Sequence, residues 1–388
     1  MKRFMIKGII AVLALLVALM GCSKQPTTGL SKDEFKQSLN EFTASTTGVV
    51  GGFQNDLALQ AMLNAPLGSD SPVTFTLGDV YAISQQKKAS PTSVRNLVAR
   101  VIPLSNSGDL TRGKWVYNDR DERWEEDGDY SGDDLVASWP FADSEGGSHT
   151  ASLVVDWNVG GAPTVRVKDQ QGQTVESPTK AKLTLYVDGN DAAHVAGYLN
   201  AAFAWYNSSC GLIQEPTSAK LEGRLGGDDY LSFDVSLAVS DSLTSSKGRF
   251  GAGSGASSSS VSWELSARGQ ANRDSSCFIV SFDVSSGSLN YKTTTSDNGD
   301  NQSLELNTDF AINYDRHAAP ASAELSNGFL QLNGQTAFTF EGTLDDSNHN
   351  GVPGENVTVH FADGSSTLEQ VLRENGFADF GEEMDSAF

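Results

Sequence analysis

The chain has 388 residues, with 27 Lys and Arg against 49 Asp and Glu, and a formal net charge of −22. So few cations argue against binding nucleic acid or an anionic membrane surface, both of which are held through clustered Lys and Arg. Gly (38 residues), Ser, Asp and Thr are abundant, which reads as many strands joined by many turns, over a length sufficient for one large β-domain or two domains.

Residues 1–21 fall into zones. Lys2, Arg3 and Lys7 make a basic start, and Gly8 to Met20 is then almost wholly apolar. This apolar run is shorter than the ~20 residues of a membrane span and suits the apolar region of a signal peptide. It closes on Leu19-Met20-Gly21-Cys22, which resembles the lipobox of bacterial lipoproteins: an aliphatic residue, then a small residue directly before the cysteine. Met20 is bulkier than the residue usual at its position. The resemblance implies a thioether-linked lipid on Cys22 and cleavage before it by the lipoprotein signal peptidase. It places the mature chain in the cell envelope, and Ser23, where an Asp would favour inner-membrane retention, points to the outer membrane. Each buried methylene contributes ~0.8 kcal/mol, so the two or three acyl chains of a lipoprotein hold it essentially permanently. Without residues 1–21, which carry three bases and no acid, the net charge becomes −25. Residues 22–30 read as a lipidated tether, flexible across Gln25 to Gly29.

Residues 31–66 form the clearest helical stretch. Ser31 with Glu34 makes a capping box, with Phe35, Leu39 and Phe42 at helical spacing, and a second helical pattern runs from about Phe53 to Asn64 before Pro66. From Val73 the period changes to two. Trp115 and Tyr117 answer Trp124 across a polar turn, a hairpin signal. Further alternating runs lie at 153–157, 165–167, 183–187, 231–239, 261–265, 278–284, 304–312, 338–340 and 357–361, with 198–205 open between strand and helix. These predict a mainly β ectodomain over 73–376, an antiparallel curled sheet forming a partial barrel or sandwich, with a possible sub-boundary near 176–179. Ser240 to Ser260 is low in complexity and reads as a mobile surface loop. Asp363 to Gly376 reads as a closing helix with a capping box at Ser366 and Glu369, and 377–388 as an acidic tail.

Of the three cysteines, Cys22 is taken by the lipid. Cys210 and Cys277 are left as a pair in an oxidising compartment, so a disulfide between them is expected, with two separate buried thiols as the alternative. Asp346-Ser-Asn348-His-Asn350-Gly351 resembles the start of the calcium loops of EF-hands, dockerins and thrombospondin-type repeats. On that resemblance Asp346, Asn348, Asn350, the Val352 carbonyl and Glu355 are ligands, or else the segment is a polar turn. Position 12 of the loop is Val357, which excludes a true EF-hand. Asp127, Asp129 and Ser131 repeat the alternation of oxygen ligands inside a stretch where nine of sixteen residues (119–134) are acidic. That stretch is a second calcium candidate or a solvated acidic loop, and 297–301 reads as a hairpin turn.

Catalytic motifs are missing. The five histidines, His149, His194, His317, His349 and His360, show no zinc spacing, and no G-x-S-x-G elbow occurs. No catalytic residue is assigned, and no cofactor is required beyond possible calcium. The expectation is a non-enzymatic binding or structural ectodomain. An apolar-ligand carrier, with a greasy sheet face left open, and a glycan hydrolase, with paired carboxylates in a cleft, are the alternatives. The partners expected are the membrane, through the anchor, and an envelope protein, glycan or lipid, with no nucleic acid.

Overall fold

The computed structural model describes residues 30–31, 56–66, 71–72, 112–161, 164–168, 174–207, 214–273, 279–313, 322–345 and 354–374. Among these the chain is mainly β, as the alternation predicts: eighteen strands and two short α-helices. Sixteen strands belong to one mostly antiparallel sheet. The chain divides into two compact units. One takes Val50–Gly255 with Ala271–Phe282, and the other takes Met1–Val49, Ala256–Gln270 and Asp283–Phe388.

The first unit opens with α1 (Leu57–Leu63), whose Ala58 N–H donates to Asp56 Oδ1 at 2.9 Å, an N-terminal cap. Its strands are β1 (Gly113–Asn118), β2 (Arg123–Asp127), β3 (Leu135–Ala142), β4 (Ser148–Asp156), β5 (Thr164–Lys168), β6 (Thr174–Pro178), β7 (Lys180–Val187), β8 (Val195–Asn207), β9 (Gln214–Gly226), β10 (Tyr230–Val239) and β11 (Leu243–Ser254). Neighbours run β2-β1-β3-β4-β7-β8-β9-β10-β11, while β5 and β6 form a separate hairpin. Strand β1 lies antiparallel to β2 but parallel to β3, so the first hairpin is folded back against the sheet. Tyr117 stands opposite Trp124, the pairing their alternation predicts. The 198–205 stretch is strand, inside β8, and 176–179 spans the end of β6.

The second unit is a run of hairpins: β12 (Ser257–Arg273, to residue 270), β13 (Ile279–Asp297, from residue 283), β14 (Asp300–Asn313), β15 (Ser322–Leu332), β16 (Gln335–Leu344), β17 (Asn356–Phe361) and β18 (Gly364–Thr367), closed by α2 (Leu368–Glu374). From β12 to β18 every neighbour in the sheet is also the neighbour in sequence. Two of the turns are Asn-Gly pairs. Asn298 and Gly299 (φ 51° and 95°) join Asp297 to Asp300, and Asn333 and Gly334 (φ 51° and 77°) join Leu332 to Gln335. Both residues of each pair are left-handed, the twist-matched hairpin geometry that Asn and Gly tolerate best. The core of this unit includes Phe338, whose ring meets Phe340 at 6.2 Å and Phe361 at 5.2 Å. Leu30 is buried and bonded through its backbone to Ala337 and Ala362, so the last residue of the expected tether is fixed in this unit.

Two expectations need correction. Ser240 to Ser260 is not a surface loop, because Leu243–Ser254 and Ser257–Arg273 are strands. Ser246, Gly248, Gly251 and Gly253 occupy buried positions, and a Cβ on Gly253 would stand 2.8 Å from Cζ of Tyr230. Low side-chain volume here is a packing choice, which composition alone does not reveal. The closing helix is also shorter than Asp363 to Gly376. Residues 364–367 pair with β17 as β18, and α2 starts at Leu368. Its cap is Thr367, whose Oγ1 accepts from the Gln370 N–H, whereas the Ser366 hydroxyl donates to the Gln370 side chain. Leu368, Val371 and Leu372 are buried as the spacing predicts.

Candidate functional site

Tryptophans build the wall of the first unit. The indole N–H of Trp139 donates to Ala61 O of α1 at 3.1 Å, and that of Trp124 to Pro66 O at 3.1 Å. The Trp124 ring meets Tyr117 at 5.4 Å and Trp139 at 6.3 Å, both edge-on. Trp124, Trp139, Trp157 and Trp263 are buried, so these four serve as core rather than as an exposed stacking face. Helix α1 rests on β3, β7, β8 and β9. The apolar space between Met62 and Leu183, Leu199 and Phe233 amounts to about 20 Å³. That is on the scale of a single water, which needs roughly 10–15 Å³ by this measure.

The acidic stretch of the first hairpin is tied internally. Asp127 Oδ2 pairs with Lys114 Nζ at 2.9 Å, and its Oδ1 accepts from the Asp129 N–H at 3.3 Å. The hydrogen bond from Lys114 holds the Asp127 carboxyl below the usual carboxylate range. Arg123 pairs with Glu125 at 3.0 Å. Burial, followed by the nearby charges of Asp156 and Asp133, pushes the Asp134 carboxyl up. A cation held by Asp127, Asp129 and Ser131 has to displace the Lys114 contact first. Among the described residues no three His, Cys, Asp or Glu side chains converge as a ligand set. Of the other calcium candidates, Asp346, Asn348, Asn350 and Val352 lie outside the described residues. Glu355 is half-buried at the start of β17, and Val357 is fully buried inside that strand. Cys22, Cys210 and Cys277 also lie outside the described residues, as do the Glu34, Phe35, Leu39 and Phe42 positions and the 377–388 tail.

Among the described residues, one polar constellation was not singled out by spacing. Asp143 ends the β3 arm of the β3–β4 turn, and its Oδ1 accepts from the N–H of Glu145 (2.9 Å) and of Gly147 (2.6 Å). His149, early in β4, sits opposite Phe141, their rings 5.4 Å apart. Asp188 follows β7 in the left-handed region (φ 58°), a conformation Asp tolerates better than most residues. Its Oδ1 accepts from the Thr150 N–H at 2.9 Å. These placements put His149 between two carboxylates: Nδ1 lies 2.6 Å from Asp188 Oδ2, and Nε2 lies 3.0 Å from Asp143 Oδ2. Beyond Asp188, Asp191 caps a turn of 3-10 helix (Ala192–His194) and binds His194 Nδ1 at 2.7 Å.

The electrostatics follow from this geometry. Hydrogen bonding to Asp188 and then Asp143 raises the His149 pKa above its ordinary value, against a smaller opposing desolvation. The same bonds hold Asp143 and Asp188 below the carboxylate range, and the bond to His194 does so for Asp191. With both nitrogens facing acids, any lone pair of the neutral ring is turned toward a carboxylate. The two carboxylates also lie on opposite edges of the imidazole, so they do not converge on one cation. The arrangement favours the protonated ring. Its members are 6 and 39 residues apart along the chain, a separation that carries no motif.

Compared with protein-family models, with curated proteins and with solved structures, the chain matches none. Among the described residues no helix is long and apolar enough to cross a membrane.

Proposed function

We propose that this chain is a lipid-anchored envelope protein, held at the outer membrane through Cys22, whose β-rich ectodomain binds or scaffolds an envelope component without catalysing a reaction. The observation that carries the reading is the N-terminal series of Lys2, Arg3 and Lys7, the apolar run to Met20, and Leu19-Met20-Gly21-Cys22. The outward positions of the strands agree with a domain standing in water rather than among acyl chains. Lys220 and Glu222 of β9, Asp234 of β10, and Lys247 and Arg249 of β11 are all exposed.

Native mass spectrometry of the protein expressed in a bacterial host tests this directly. The expected species begins at Cys22, carries a diacylglyceryl group, and yields the precursor mass when Cys22 is changed to Ser. A chain that keeps residues 1–21, or one that begins elsewhere with an unmodified Cys22, overturns the anchor. The same spectra show any calcium retained by the loop that begins at Asp346, and a species free of calcium at millimolar ion removes it from this reading.

A further inference from the structure

We propose that Asp143, His149 and Asp188 form a proton-operated latch that fastens the β3–β4 turn to the β7–β8 connection. The geometry sets the requirement. Nδ1 and Nε2 each lie within hydrogen-bond distance of a carboxylate oxygen, at 2.6 and 3.0 Å. Only the doubly protonated ring donates to both, whereas a neutral ring carries one N–H and turns a lone pair toward the other anion. Loss of one proton therefore converts one arm of the clamp from attraction to repulsion.

Each arm is tied to backbone, so the change reaches beyond the side chains. Asp143 holds the Glu145 and Gly147 N–H groups, which shape the turn. Asp188 holds the Thr150 N–H through its carboxylate, and its own N–H donates to Thr150 O at 2.9 Å. The groups facing the ring come from every neighbouring segment: Phe141 from β3, Asp143 from the turn, and Asp188 from the end of β7. Behind Asp188 lie His194, which interacts favourably with it, and Asp191, which is bonded to His194. Glu145 is exposed and reaches the cluster only through its backbone. The shorter bond keeps its proton longer, so the remaining N–H stays on Nδ1 facing Asp188, and the Asp143 arm is the one that lets go.

The sign follows from the shifts. A ring whose pKa rises on folding contributes stability that is complete below its ordinary value of about 6.5 and is lost as pH climbs through the raised value. The two carboxylates, lowered on folding, contribute above about 3.9 and lose it as pH falls through their lowered values. The latch is therefore complete in mildly acidic surroundings and slackens toward alkaline ones. An exported domain meets such changes without the buffering of a cytoplasm.

Nitrogen NMR of the full chain, with the His149 ring labelled, tests the proposal together with amide exchange. His149 is expected to titrate above pH 6.5 and to become the Nδ1-protonated tautomer. In step, the protection factors of Glu145 and Gly147 should fall at least several-fold while that of Leu153, in the middle of β4, holds. His149→Gln should remove this pH dependence. Titration at or below about 6.5 overturns the latch. So do Glu145 and Gly147 protection factors that stay level through the ring's titration, a result readable in the wild type alone.

Discussion

The two units use the same strands to different ends. In the second, each strand pairs with its sequence neighbour, and tight turns such as Asn298-Gly299 and Asn333-Gly334 set the register. In the first, β4 passes over the β5–β6 hairpin to reach β7, and β1 runs parallel to β3 with β2 between them in sequence. A turn cannot fix such pairings, because the segments that meet are distant along the chain. Side-chain ties join distant segments there: Trp139 to α1, Trp124 to Pro66, and His149 across two connections. The polar cluster is found where the topology is non-local, which is also where a side-chain interaction has two segments to hold together.

Core truncation gives the largest effect. Trp139→Ala in the first unit and Phe338→Ala in the second should each cost about 3–5 kcal/mol in urea unfolding. Trp139→Ala should cost the more, since it also removes the donor to Ala61 O. A larger loss for Phe338→Ala would remove the claim that single side-chain ties matter more in the first unit.

Backbone geometry comes next. Gly342, in the interior of β16, has φ 129°, and a Cβ there would run into Asn356 O of β17. Gly342→Ala should cost about 1–3 kcal/mol by the same assay. Within the Asn333-Gly334 turn, where a Cβ meets nothing, Gly334→Ala should cost only the left-handed conformation, about 1–2 kcal/mol. Equal losses at the two positions would mean that steric contact adds nothing to strain in the hairpin unit.

The smallest effect is the most specific. Between pH 6 and pH 8 the melting temperature of the wild type should fall relative to that of His149→Gln, because the ring's folded pKa is raised and its contribution disappears on the alkaline side. Parallel melting curves for the two proteins would show that the first unit is held by its tryptophans alone.

Much of the sheet was legible along the chain, and the failures have physical causes. Strand β10 reads inward and outward in strict alternation from Phe233 to Val239, so its face was plain. In β9 the inward residues are Ala219, Leu221, Gly223 and Leu225, and Gly223 sits under the Phe233 ring, so the apolar signal is diluted by a glycine chosen for fit. In β15 the parity breaks at Ser326 and Asn327, both outward, where the ladder to β16 shifts register between Leu325 and Gly328. A bulge resets a period of two and hides the strand from it. In β11 inward Thr244, Ser246 and Gly248 replace the large apolar residues that mark a strand.

By itself, then, the sequence determined what depends on short stretches of chain: the β class, the Trp-bearing first hairpin, the Asn-Gly turn at 298–299 and the apolar face of the last helix. Tertiary structure alone decided that β1 lies parallel to β3, that small residues of β11 face inward, and that His149 meets Asp143 and Asp188. Alternation and turn chemistry are properties of a few consecutive residues. A proton shared among three segments depends on distances in space, and those exist only once β4 has found β7.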